Sequence, residues 1–163
     1  MFNDCTELFS IYNLDKIDTS EVIDMNSMIQ NCRTLTKIPD ISKWNTKNVP
    51  NMENIFNACE SLKSLPDISK WNISKVTSIE NFFRNCTNLY RLPGISKWDR
   101  INITNMSGLF SSLTNNIKYL PDISKWNTSK VINLSNLFSE STSLFSIPDI
   151  SKWDIAFLVN VNL

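Results

Sequence analysis

Leu62, Leu65, Ile68 and Trp71 are apolar at every third position, and the spacing recurs at Leu35, Ile38, Ile41 and Trp44 and at Leu144, Ile147, Ile150 and Trp153. A period of three fits neither an ordinary strand nor a helix. It fits a chain that enters a core, turns and re-enters it. Pro66-Asp67 stands where a tight turn takes Pro first and a small acceptor second. A polar stretch, Asn72-Ile73-Ser74-Lys75, then predicts an exposed bend. Residues 24, 51, 78, 105 and 133 read Asp, Asn, Ser, Asn and Asn, all favoured helix N-caps. Glu53 and Glu80, two places on, suit the positive end of a helix. The pattern therefore predicts a helix of one to two turns after each cap, with Phe56, Phe83, Phe110 and Phe138 facing inward.

The phrase Pro39-Asp40-Ile41-Ser42-Lys43-Trp44 returns at Pro66, at Pro93 (with Gly94 for the Asp), at Pro121 and at Pro148. Each step is about 27 residues, a period typical of repeat architectures. Tyr12 to Ile17 is a sixth, altered copy, one step before the first clean one. Such self-similarity predicts a single repeat solenoid over residues 1–163, about six turns, in which no turn buries its apolar face alone. Met1-Phe2-Asn3-Asp4-Cys5 matches Ile55-Phe56-Asn57-Ala58-Cys59, and Asn160-Val161-Asn162-Leu163 stops where another helix is due. Both ends read as uncapped, as in a piece of a longer array, and apolar end faces would let copies associate end to end.

Trp71-Asn72-Ile73-Ser74-Lys75-Val76, followed by the capped Phe82-Phe83, Cys86, Leu89 and Leu92, resembles the BspA-like leucine-rich repeats of microbial surface proteins. The related mycoplasma lipoprotein-type repeat is similar, and Trp126-Asn127-Thr128-Ser129-Lys130-Val131 is the copy nearest to its phrase. The resemblance covers essentially the whole chain. It implies an α/β fold: a right-handed leucine-rich-repeat coil with one short parallel strand and one short helix in each turn of the repeat. It also implies a surface or secreted adhesion and protein-binding role. Met1 to Cys5 shows no secretory leader, which keeps an intracellular interaction scaffold, or a repeat fragment without its own role, as alternatives.

Composition narrows the chemistry. Lys plus Arg and Asp plus Glu stand at 16 each, so no bulk charge draws the chain to nucleic acid or an anionic membrane. The longest apolar run, Ile155 to Val159, is far short of the roughly 18 residues that span a bilayer. Only 2 Gly occur, so turns fall to Pro, Asn, Asp and Ser. With no His and no glycine-rich loop, the chain carries no His-based triad, no usual zinc set and no phosphate cradle. A non-enzymatic module with no catalytic residue, metal or cofactor is expected.

Three columns remain. Cys5, Cys32, Cys59 and Cys86 recur once per repeat with Leu113 and Ser141 further along, which fits buried thiols better than a metal ladder or stacked disulfides. Trp44, Trp71, Trp98, Trp126 and Trp153 read as core by their spacing, against an exposed sugar platform. Lys16, Lys43, Lys70, Lys97, Lys125 and Lys152 put one lysine in every turn, either a solvated row whose stems cover the tryptophans or a strip for acidic glycans or a protein's carboxylates. The Asn-x-Ser/Thr sites at Asn72, Asn85, Asn102, Asn105, Asn127 and Asn133 are read as turn and cap residues before glycan acceptors.

Overall fold

The Asp of the repeated phrase makes its turn with its own side chain. Asp40 Oδ1 accepts from the Ser42 backbone N–H, and Asp67, Asp122 and Asp149 do the same with Ser69, Ser124 and Ser151, each at 2.9 Å. Two further columns repeat the device: Asn72 and Asn127 accept from Ser74 and Ser129, and Asn51, Asn105 and Asn133 from Glu53, Ser107 and Ser135. Side-chain oxygens thus replace the missing glycines. Where Asn13 or Gly94 stands for the Asp, a positive φ (58° and 91°) opens a short 3-10 turn instead, Leu14–Lys16 and Ile95–Lys97.

This computed structural model describes residues 1–92, 94–98 and 102–162; Pro93 of the third phrase and the terminal Leu163 lie outside the described residues. Among the described residues there is no α-helix, and pairing is confined to isolated bridges with no continuous strand. The expected α/β leucine-rich-repeat solenoid, with one helix and one strand per turn, is therefore overturned. The cap column does offer oxygens to backbone N–H groups, but the backbone beyond it is not helical. Three and seven residues after each cap the chain turns left-handed, at Asn54 (57°) and Ala58 (58°), Asn81 (52°) and Asn85 (57°), and Gly108 (62°) and Ser112 (59°). A residue at positive φ every fourth position breaks any right-handed helix.

The freed amides turn sideways. Met52, Asn54, Phe56 and Ala58 donate to the carbonyls of Ser78, Glu80, Phe82 and Arg84 at 2.8–3.1 Å, one repeat away. The same pattern continues from Asn81, Phe83 and Asn85 to Ser107, Leu109 and Ser111. Parallel bridges join Asn51 to Ser78, Ser78 to Asn105, Asn105 to Asn133 and Asn133 to Asn160, so successive units lie side by side in register.

Within a unit, i to i+3 turns succeed one another. Cys59 N–H donates to Phe56, Leu62 to Cys59, Trp71 to Ile68, Val76 to Ile73 and Phe82 to Ile79. Each turn brings its first and last residues to the same side, which is why apolar residues recur by threes. Phe56, Cys59, Leu62, Ile68, Val76, Ile79 and Phe82 are all fully buried. Phe56, Phe83, Phe110 and Phe138 stack in a column, ring centroids 5.9–6.2 Å apart and planes within 11°. No helix among the described residues is long and apolar enough to cross a membrane.

Candidate functional site

The five indoles are buried, Trp98 at 2% and the outermost, Trp153, at 7% exposure. Each Nε1–H donates to a backbone carbonyl of the preceding unit: Trp44 to Leu14, Trp71 to Ile41, Trp98 to Ile68, Trp126 to Ile95 and Trp153 to Ile123, at 3.0–3.3 Å. Trp44 and Trp71 stack at 5.9 Å, as do Trp98 and Trp126 at 6.4 Å. The column joins units and offers no open ring face to a sugar.

The thiols obey the same logic. Cys32, Cys59 and Cys86 donate to the carbonyls of Phe2, Ile29 and Phe56 in the preceding unit. Ser141, in that column, reaches the Phe110 carbonyl, so a hydroxyl takes the thiol's part. Burial pushes the Cys86 thiol up to about 12 and, with smaller effects from Cys5, the Cys32 thiol up to about 11. All four cysteines are free thiols. A thiol that holds its proton so firmly is a poor nucleophile and a poor metal ligand.

The lysine row is the opposite kind of column. Lys16, Lys43, Lys70, Lys97, Lys125 and Lys152 are all exposed, and they stand at the rim of the buried tryptophans, one residue before each Trp from Trp44 onward. Among the described residues the ion pair within 4 Å is Arg33 with Glu60, at 3.6 Å, and none of the six lysines is in such a pair. Their neighbours are the turn-making carboxylates. Hydrogen bonds from the Ser42 side chain and backbone hold Asp40 below the usual carboxylate range, with a smaller pull from Lys43 and Lys70. Asp67 is held down chiefly by Ser69 backbone and side chain, with Lys97 and Lys70 contributing. The carboxylates are thus engaged by serines, and the ammonium groups remain open to a ligand. Lys97 also lines a cleft of about 430 Å³ with Ser69, Trp71, Asn72, Ile73, Ser74 and Trp98.

A second exposed group was not singled out by sequence reasoning. Tyr90, Tyr119 and Phe145 are 52%, 65% and 71% exposed. Arg91 lies over the Tyr90 ring at 5.8 Å, Lys118 Nζ over Phe145 at 5.2 Å, and Tyr119 meets Phe145 edge-on at 5.8 Å. The available signal was registry: these residues fall one or two places after the buried Leu89 and Ile117 and the half-buried Leu144, where the period of three calls for solvent.

With this geometry in place, the comparisons are specific about lineage. A family model described as "Mycoplasma protein of unknown function, DUF285" matches residues 1–93 and again 89–162. The chain belongs to the DUF285 family. No curated protein and no solved structure matches it. The DUF285 description carries neither a leucine-rich-repeat nor an adhesion assignment. With no α-helix and no continuous strand among the described residues, the leucine-rich-repeat solenoid expected from the resemblance is overturned, and the adhesion label taken from it has no support in the family description.

Proposed function

We propose that this DUF285 chain is a non-enzymatic binding module that presents an extended, unpaired lysine row to an acidic macromolecule, either a protein surface rich in carboxylates or an acidic glycan. The observation that carries the reading is the row itself: six exposed lysines, one per unit, none paired with a carboxylate within 4 Å among the described residues. Side-by-side units of bridged backbone stand about 4.8 Å apart, so the ammonium groups form a line of charge that a flexible polyanion can track. Like charges so placed repel one another, and a bound polyanion relieves that repulsion.

The absence of His from the chain and the firmly protonated Cys32 and Cys86 support a role without catalysis. An intracellular scaffold and an exported module would use the row in the same way, because the ligand's carboxylates are what it reads.

Lys43, Lys70 and Lys97 changed together to Gln should lose retention on alginate beads, while the wild-type chain is retained at low salt and released as salt rises. Equal retention of the triple variant would overturn the proposal. Because all three side chains are exposed, the variant is expected to melt with the wild-type midpoint, and the two outcomes separate cleanly.

A further inference from the structure

The columns that hold residues 9–10, 36–37, 63–64, 90–91, 118–119 and 145–146 read Phe-Ser, Thr-Lys, Lys-Ser, Tyr-Arg, Lys-Tyr and Phe-Ser. Four cations and four aromatic rings share this stripe, and no carboxylate does. It lies six or seven residues before the lysine row in each unit, on a different stretch of backbone. Parallel bridges between Ser10 and Lys37, Ser64 and Arg91, and Tyr119 and Ser146 pin that backbone. The aromatic residues are well exposed, Phe9 at 64% among them. In the C-terminal half the rings are held by the cation–π and edge contacts of Tyr90, Arg91, Lys118, Tyr119 and Phe145. Large rings kept in water and already ordered cost little further entropy on binding, and Tyr and Arg are the residues most often found at the energetic centres of protein interfaces.

We infer that this stripe is a second docking surface, and that its occupant is an extended acidic polypeptide segment carrying aromatic side chains among its carboxylates. Charge complementarity selects the sign: cations recur in four successive units, at Lys37, Lys63, Arg91 and Lys118. Arg91 offers a planar fork that grips a carboxylate by two bonds. The rings favour aromatic partners, which pack against them edge-on or offset. A single-stranded nucleic acid also combines charge with flat rings. Its unbroken run of phosphates, however, would pass the row of Asp40, Asp67, Asp122 and Asp149 three residues beyond the stripe, where a peptide can place neutral residues.

The test measures binding of the full chain to a fluorescent random copolymer of Glu and Tyr, with polyglutamate and oligothymidylate as comparison probes. Binding of the copolymer about tenfold tighter than polyglutamate is expected, which corresponds to one well-placed aromatic contact. Arg91→Gln and Tyr119→Ala should each weaken copolymer binding about tenfold and leave retention on alginate beads unchanged. The lysine-row triple variant should weaken binding of polyglutamate and copolymer alike and keep the preference for the copolymer. Unaltered copolymer binding by both stripe variants would overturn the inference, as would oligothymidylate outcompeting the copolymer or a preference for copolymer over polyglutamate that disappears in the lysine-row variant. Alginate retention unchanged in the lysine-row triple variant, with copolymer binding weakened in both stripe variants, would count against the lysine-row function alone.

Discussion

At the scale of single residues, one donor recurs with one purpose. Trp71 is a core ring by area, but its Nε1–H also satisfies the buried Ile41 carbonyl of the preceding unit at 3.0 Å. Replacing it by Phe keeps most of the packing and leaves that carbonyl with its other donor, the Trp44 N–H at 3.1 Å, so the loss is one hydrogen bond, about 0.5–1.5 kcal/mol; Ala would cost about 3–5 kcal/mol. Urea denaturation checks both, and a Trp71→Phe variant as stable as wild type would show that the bond carries no weight. The thiols make a matching prediction. Cys59 and Cys86 are fully buried and Cys5 is not, so maleimide should label Cys5 in the native chain and the other two only after unfolding. The Cys86 thiol is raised from 9.0 to about 12 by burial. Its native state therefore keeps a proton that the unfolded state gives up earlier. The stability tied to that proton is complete below pH 9 and lost as pH climbs toward 12. The urea midpoint should fall across that window, and Cys86→Ala should flatten the fall.

At the scale of the local element, the decisive choice is between a helix and a train of turns. Asn51, Ser78, Asn105 and Asn133 have the chemistry of helix caps, and an Asx-type bond to the N–H two residues on serves a cap and a turn equally well. What decides is the column three places later: Ser27, Asn54, Asn81, Gly108 and Asn136, all at positive φ. That column was legible, because Asn and Gly are the residues that tolerate left-handed backbone, but the Phe and cap patterns pointed to a helix and hid it. The period of three was legible too, since chained i to i+3 turns produce it directly. The sideways bonding was not, because a single sequence shows which residues turn and not where their amides point afterwards. Asn81→Gly should leave stability nearly unchanged, whereas Asn81→Val should cost about 1–2 kcal/mol by forcing a branched side chain into left-handed backbone. Thermal melts of the pair provide the check, and a stable Val variant would mean that the segment can refold as a helix.

At the scale of the whole molecule, columns become surfaces. Inward columns of Trp, Phe and Cys tie each unit to the one before it, and outward columns set what a partner meets: lysines on one stretch, rings and cations on another. Lysines and tryptophans were visible as columns in the sequence, and their contrast in exposure arises from the period of three. The ring-and-cation stripe was harder to see because its residue types vary from unit to unit, Tyr-Arg in one and Lys-Tyr in the next. The central claim beneath both surfaces is that successive repeat units are held side by side by turns whose amides bond outward, without α-helices among the described residues. Far-ultraviolet circular dichroism of the folded chain tests this most directly. A cooperative melt from a spectrum lacking the paired helical minima is predicted; strong helical minima that vanish in the same transition would contradict it.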